Sequence, residues 1–328
     1  MDKLPKVSIL IPTYNQETFI EKAIASALQQ NYENLEVVVS DDCSANDLNM
    51  IIGKYTNNPK FKYYRNTKNI GRVGNYRKCL YEYATGQWAL CLDGDDYLTD
   101  TNFISDCVHT VMNAKTENKN IVFIQASCEV KNIITKKSHF RMPQIPSENI
   151  YLKGIDYFKN YISFNHFSHC STFYNRKQAI ETGFYLHDNL STDVESFLKL
   201  SLAGDVVLSK KIIAVWVQHH NNASKNNNIK IQLENLEWIK RCEKYATDNY
   251  PEMQYKLKGW FNKTLNRHLV GLLNFMQDSR DTVAHSIKNL KILSAYIIKK
   301  RPRVVLNIRF IAHYSYTCFC LIKKTILK

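Results

Sequence analysis

The sequence predicts an α/β fold, with a mainly parallel sheet and helices on both faces, followed by a mostly helical basic C-terminal region. Three observations predict it. Short β-branched apolar runs alternate with helically spaced apolar residues through the first hundred positions. A polar tract at 221–228, with five asparagines, then interrupts the pattern. Beyond it lie amphipathic segments rich in lysine and arginine.

The elements follow in order. Val7-Ser-Ile-Leu-Ile11 is a short apolar run ending at Pro12, as a buried parallel strand does. Phe19, Ile20, Ala23, Ile24, Ala27 and Leu28 then share one helical face. A second buried strand is expected over 35–39, closed by the polar turn Ser40-Asp-Asp-Cys-Ser44. A helix over about 46–55 leads to a short strand over 61–64, and a helix over 74–84 stops at Thr85-Gly86. The next strand covers 88–92. Repeated strand–helix–strand units of this length imply a parallel sheet. Further strands are expected over 121–126, 206–208 and 212–217, with helices over 157–164 and 191–203. After the asparagine tract, 231–245 and 255–276 read as amphipathic helices. The boundary is therefore placed near 225, giving a domain of 1–225 and a helical basic region of 226–328.

Of 328 residues, 45% are apolar, so a packed core is expected. The formal charge of +14 suits nucleic acid, an anionic membrane surface or polyanionic small molecules. After Asp281 there is no acidic residue, while ten lysines and arginines follow. That stretch has no recognised base-reading module, so nucleic acid is not an expected partner. Two readings of it stand: apolar and aromatic groups beside cations, as in membrane-surface segments, or a helical subdomain with a solvated basic face. Nine scattered cysteines without a CxxC pair argue against a disulfide framework or structural zinc, and suggest reduced thiols in the cytoplasm. Residues 1–6 have no apolar signal core, and no window reaches the ~18 apolar residues of a membrane span.

In a parallel sheet, ligands gather at the carboxyl ends of the strands. Three polar clusters fall there: Pro12-Thr13-Tyr14-Asn15, Asp41-Asp42 and Asp93-Gly94-Asp95-Asp96. The last is a set of oxygen ligands on a tight turn, suited to Mg²⁺ or Mn²⁺. Taken alone, such a run is more often a cap on the following helix than a metal site. An EF-hand fails, because Leu98 stands at the sixth position and Ile104 at the twelfth. The chain has neither a dinucleotide-binding GxGxxG after its first strand, nor a Walker A loop, nor a GxSxG elbow. These absences argue against a dehydrogenase, a P-loop enzyme and a serine hydrolase.

Val7-Ser-Ile-Leu-Ile-Pro-Thr-Tyr-Asn15 with Asp41-Asp42-Cys-Ser44 resembles the opening of family-2 glycosyltransferases of GT-A fold, a Rossmann-like architecture. Asn69-Ile-Gly71, Asn75, Thr85-Gly86 and Leu92-Asp-Gly-Asp-Asp96 continue that pattern in order. The resemblance is close over about 5–98, extends loosely to about 224, and points towards bacterial surface-polysaccharide enzymes. It implies a nucleotide-sugar half at about 1–100 and an acceptor half at about 101–225. By the same resemblance, Pro12, Thr13 and Tyr14 line the nucleobase pocket. Asp42 accepts from the base, Asp41 orders its loop, and Arg72 contacts the diphosphate. Gly94 and Asp93 border the donor, Asp93 serving the ribose or the metal shell. Asp95 is the principal metal ligand, and Asp96 a cap for the next helix.

Ser191-Thr-Asp-Val-Glu195 resembles the family's segment carrying the catalytic base, which assigns that role to Asp193. Glu195 is the runner-up, and an N-cap role for Thr192 or Asp193 is the bland alternative. Val215-Trp-Val-Gln-His219 resembles the aromatic-Arg-x-His segment, with Val217 in place of Arg; His219 or His220 would reach the metal or diphosphate. His166 and His169 remain unassigned. The activity implied is a metal-dependent inverting hexosyl transfer from a UDP-sugar, giving a β-glycoside from an α-linked donor. The acceptor implied is a glycan, lipid-linked in the family's manner, and the enzyme would sit in the cytoplasm or on the inner membrane face. The rival readings are a sugar nucleotidyltransferase, which would normally show a Gly-rich loop after the first strand, and a non-catalytic carbohydrate- or lipid-binding relative.

Overall fold

In this computed structural model, residues 4–164, 167–220, 222, 228–278, 283–300 and 308–326 are described. The chain divides into two compact units, Met1–Asn222 and Ala223–Lys328.

The first unit is built on strands β1 (Val7–Thr13), β2 (Leu35–Asp41), β3 (Phe61–Arg65) and β4 (Trp88–Cys91). They lie in the order β3-β2-β1-β4, every neighbour parallel. Helix α1 (Ile20–Leu28) buries Ile20, Ala23, Ile24 and Ala27 in one core with Val7, Ile9, Ile11, Val37 and Val39. That joins a helical period to a strand period of two. Helix α2 is only Asn49–Ile52, shorter than its sequence spacing predicts. Helix α3 (Arg72–Lys78) starts earlier than predicted and runs on into a π-helical turn, Cys79–Tyr83.

The sheet continues through β5 (Tyr97–Leu98), β6 (Ile121–Asn132), β7 (Lys137–Arg141), β8 (Asn149–Lys153), β9 (Thr172–Asn175) and β10 (Asp205–Gln218). Strand β9 lies antiparallel between β4 and β6, and β10 runs parallel to β6. Strands β5 and β8 pair antiparallel with β10, and β7 with β6. Sequence periodicity split β10 in two at Ser209-Lys210-Lys211. The strand instead continues through a bulge there, with register shifts around Ile212. Strands β7 and β8 escaped notice because their side chains are largely exposed and carry little apolar signal. Helices α4 (Phe103–Thr116), α5 (Gly154–Asn160), α6 (Arg176–Glu181) and α7 (Thr192–Ser201) complete the unit.

The second unit contains α8 (Ile229–Asn235), α9 (Glu237–Asn249), α10 (Trp260–Asp278), α11 (Val283–Lys300) and α12 (Ile308–Ile326). The single helix expected over 231–245 is thus two, meeting at Leu236. The next begins only at Trp260, because Gly259 has a φ of 79°, outside the right-handed helical region. No described helix is long and apolar enough to cross a membrane.

Candidate active site

The parallel strands end at one rim, where main-chain bonds stitch three loops together. Asp42 N–H donates to the Thr13 carbonyl at 2.9 Å, and Gly94 N–H to the Pro12 carbonyl at 3.2 Å. Thr13 Oγ1 also donates to Gln16 Oε1 at 2.9 Å. A β-carbon at position 94 would come within 2.5 Å of Gln16 Oε1 and 2.8 Å of Thr13 Oγ1, so this close approach requires glycine. Tyr14, just beyond β1, is 47% exposed and presents an aromatic surface for stacking.

Asp41 and Asp42 differ in their partners. Asp41 is fully buried. It accepts from Ser44 N–H and Oγ–H at 2.9 and 2.6 Å and from the Tyr63 hydroxyl at 3.0 Å, and Arg65 lies 3.4 Å away. It therefore orders its own loop. Asp42 accepts from Asn66 Nδ2, Ile70 N–H and Gly71 N–H, each at 2.9 Å. These bonds fix the segment that leads into α3. A carboxylate offers about four acceptor positions, so one remains beyond those three donors.

Asp93, Asp95 and Asp96 place carboxylate oxygens within 4.8 Å of one another. Tyr76 donates to Asp93 Oδ1, and His169 Nδ1 lies 3.8 Å from Asp93 Oδ2. Burial pushes Asp93 upward, but His169, Tyr76 and Arg72 together bring its carboxyl below the ordinary carboxylate range. Asp95 Oδ2 meets His219 Nε2 at 2.7 Å and Asn222 Nδ2 at 3.3 Å. Burial and the Asp93 charge raise Asp95 despite the histidine. Asp96 is raised well above the ordinary value by burial, then by Asp95 and Asp93. A bound cation would relieve this crowding, and hard oxygen donors are the appropriate type for Mg²⁺ or Mn²⁺.

The expectation that Asp96 caps the following helix is overturned. The turn runs into β5, α4 starts only at Phe103, and Asp96 Oδ1 accepts from Val217 N–H at 2.8 Å. It thereby ties the acidic turn to the end of β10. His219, two residues on, stacks on Phe19 with centroids 4.9 Å apart. His220 is exposed, and His166 lies outside the described residues.

Arg72 links this rim to the start of α7. Its Nη2 donates to the Asn189 carbonyl at 2.9 Å, and its guanidinium lies 5.4 Å from the centre of the Tyr76 ring. Burial disfavours the cation, but Tyr76, Asp193 and Asp93 more than compensate and raise its pKa. Asp193 is part-exposed in the first turn of α7, its Oδ1 accepting from Val194 N–H at 2.9 Å. The N-cap is Ser191, so neither Thr192 nor Asp193 fills that position. Glu195 does not suit the role of base. It is buried, with Lys199 Nζ at 2.7 Å, His187 Nδ1 at 2.9 Å and Asn189 Nδ2 at 3.1 Å, and so braces the loop before α7.

Sequence reasoning did not single out Tyr76, Gln16, Asn66 or Asn222, and left His169 without a role. Tyr76 had a signal, since it lies one helical turn after Arg72. Asn66, Asn222 and His169 had none, because their partners depend on which strands become neighbours, while Gln16 acts locally on Thr13.

The geometry can be set beside known proteins. In the GalNAc(5)-diNAcBac-PP-undecaprenol beta-1,3-glucosyltransferase of Campylobacter jejuni, 136 residues are 31% identical, covering 41% of this chain and 42% of that protein. In the UDP-Glc:alpha-D-GlcNAc-diphosphoundecaprenol beta-1,3-glucosyltransferase WfaP of Escherichia coli, 103 residues are 36% identical, covering 31% and 40%. The matches thus span less than half the length of either relative. Residues 1–349 of Staphylococcus aureus TarS, solved in complex with UDP-GlcNAc, share the fold at a TM-score of 0.57 and 16% identity, covering 95% of this chain and 90% of that one. The Pyrobaculum calidifontis mannosyltransferase PcManGT, solved with GDP-Man and Mn²⁺, gives 0.54 and 15%, covering 99% and 87%. The fold is therefore that of GT-A glycosyltransferases, as expected. With the family model for glycosyl transferase family 2 matching residues 8–183, more than half of its length, this chain belongs to that family.

Proposed function

We propose that this chain transfers a hexosyl group, with inversion, from a UDP-sugar to a hydroxyl of a glycan acceptor, a lipid-linked intermediate of bacterial surface polysaccharide. The observation that carries the reading is the gathering of Asp93, Asp95 and Asp96 within 4.8 Å at the rim formed by Thr13 and Asp42. The relatives' names, which specify undecaprenol-linked substrates and UDP-glucose, support the acceptor and donor class.

Residues 1–100 hold the donor in this reading, and 101–225 the acceptor. Tyr14 stacks on the base, with Pro12 and Thr13 beside it, and Asp42 uses its remaining acceptor position on the base. Asp41 keeps the loop in shape. Gly94 leaves room along the donor, and Arg72 faces the diphosphate. Asp95 is the principal ligand for Mn²⁺ or Mg²⁺, with Asp93 and His219 beside it. When bound, the cation would neutralise charge on the departing diphosphate. Asp193 takes the proton from the acceptor hydroxyl as its oxygen bonds to the anomeric carbon; the bond from that carbon to the diphosphate breaks. Attack opposite the leaving group inverts the centre.

The basic second unit, in this proposal, holds the enzyme on the anionic inner face of the cell membrane. Each well-placed cation contributes about 1 kcal/mol to such binding. Salt-sensitive sedimentation with anionic liposomes, absent after truncation following Asp281, is the expected result. Retention by the truncated protein would overturn that surface assignment.

The central test is nucleotide release from a panel of UDP- and GDP-sugars with undecaprenyl-diphosphate glycans, in Mn²⁺, Mg²⁺ or chelator. Metal-dependent release from UDP-sugars and a β-linked product are expected. GDP release alone would overturn the donor, and an α-linked product the inversion.

A further inference from the structure

Behind the acidic turn, a second set of side chains has a different chemical character. Cys91 is the last residue of β4, and Asp93 follows two positions later, so alternation directs both to one side of the chain while Leu92 enters the core. Strand β9 runs antiparallel beside β4, with Leu90 opposite Phe173, which brings the preceding turn and His169 alongside. The ligating atoms of Cys91, Asp93 and His169 all lie within 4.8 Å of one another.

Their spacing leaves room for a shared cation. His169 Nδ1 and Asp93 Oδ2 are 3.8 Å apart, too far for a hydrogen bond. The corresponding edge of a tetrahedral zinc site, with bonds of about 2.0–2.2 Å, is about 3.4 Å. The other imidazole nitrogen, Nε2, lies 2.7 Å from the Tyr185 hydroxyl. With Nε2–H donating to that oxygen, Nδ1 faces Cys91 and Asp93 and coordinates once its own proton is displaced. This is the outer partner that metal-bound histidines usually have. Tyr76 in turn holds Asp93 Oδ1 and leaves Oδ2 on the histidine side.

Tyr185 itself sits in an unfavourable backbone conformation. Its φ is 54°, uncommon for a bulky residue, and its N–H donates to Ser196 Oγ at 3.0 Å.

We propose that Cys91, Asp93 and His169 form a three-ligand site for a borderline-soft divalent cation, Zn²⁺ by class, with one coordination position open. Sulfur and imidazole select such a metal, whereas the oxygens around Asp95 select Mg²⁺ or Mn²⁺, and Asp93 is common to both clusters. Cys91 and His169 Nδ1 each release a proton to solvent on coordination. The inference does not depend on the sugar-transfer reading, because binding can be observed without substrate.

Co²⁺ is the probe. Added to metal-free full-length protein, it is expected to produce thiolate-to-Co²⁺ charge-transfer absorption that saturates at one equivalent. Zn²⁺ should displace it and Mg²⁺ should not. Cys91→Ser should abolish the band, while Asp95→Ala should retain it. Tyr185→Phe, which removes the hydroxyl that meets His169 Nε2, should weaken Co²⁺ binding about 10–100-fold. If Cys91→Ser fails to fold by circular dichroism, His169→Asn decides, with affinity expected to fall more than about tenfold. No thiolate band, or one undiminished in folded Cys91→Ser and His169→Asn, would overturn the site.

Discussion

The parallel sheet carries carboxylates at both ends of its strands, and the two ends are built in opposite ways. At the amino end of β2, Glu36 is 2% exposed and surrounded by donors. Ser8 Oγ and Thr85 N–H each reach it at 2.6 Å, Lys62 Nζ at 2.7 Å and Lys6 Nζ at 2.8 Å. Burial pushes its pKa up, but the two lysines, Ser8 and Thr85 bring it down to about 2. At the carboxyl ends, three aspartates crowd together, and burial with mutual repulsion raises Asp95 and Asp96. One end neutralises its carboxylate within the chain. The other accumulates negative charge that an external cation can neutralise. The first arrangement stabilises a fold, and the second suits a ligand.

The sharpest way to break this contrast is at the rim. Asp193→Asn should lower kcat by about 10²–10⁴-fold while metal and nucleotide affinity stay within error, as the loss of a general base alone would do. Parallel titration of UDP and Mn²⁺ checks it; weakened binding would mean that Asp193 belongs to the donor site. Asp95→Ala should lower turnover by about 10²–10³-fold, as removal of charge stabilisation does, while the thermal midpoint does not fall. A cooperative melt at lower temperature would instead make Asp95 a structural residue like Glu36.

Mn²⁺ at a hundred times its Kd should stabilise the native protein by about 2.7 kcal/mol. Calorimetry should show that gain absent from Asp95→Ala and intact in Glu36→Gln. Glu36→Gln itself should cost on the order of 2 kcal/mol, because hydrogen bonds to a charged group are lost from a buried position. Denaturant unfolding measures this loss, and activity per folded molecule should be unchanged.

The smallest effect is in the acid range. Glu36 has a folded pKa below its unfolded value of about 4.5, so its contribution is fully present above that value. It declines as pH falls towards about 2. Stability should therefore rise with pH across this window by at most about 1.4 kcal/mol per unit from this group. The difference between the native protein and Glu36→Gln should shrink as the pH is lowered from 5 to 2.5. A constant difference would mean that packing, not charge, makes Glu36 important.

The first half of the fold was legible because β1, β2 and β4 are buried on both faces and read as unbroken apolar runs. The exposed β7 and β8 had no such signal, and the polar bulge in β10 imitated a loop. The same difference separates the site residues. Asp93, Asp95 and Asp96 are one motif, visible as a string. Asp96 was misread because a cap and a cross-sheet contact look alike until the position of Val217 is known. Glu195 was kept as a rival base because burial against Lys199 and His187 is invisible two residues away.

The sequence by itself determined the alternation of strands and helices, the three polar clusters at strand ends, the basic character beyond 281 and the family resemblance. These properties are written in local periodicity and short motifs. Only the tertiary structure decided that Asp42 anchors the loop into α3, that Arg72 spans to Asn189, and that Tyr76 and His169 converge on Asp93. Those partners are up to 117 residues apart, as in the pair of Arg72 and Asn189. A side chain's charge state and hydrogen bonds depend on its neighbours in space, and strand order rather than chain order brings those neighbours together.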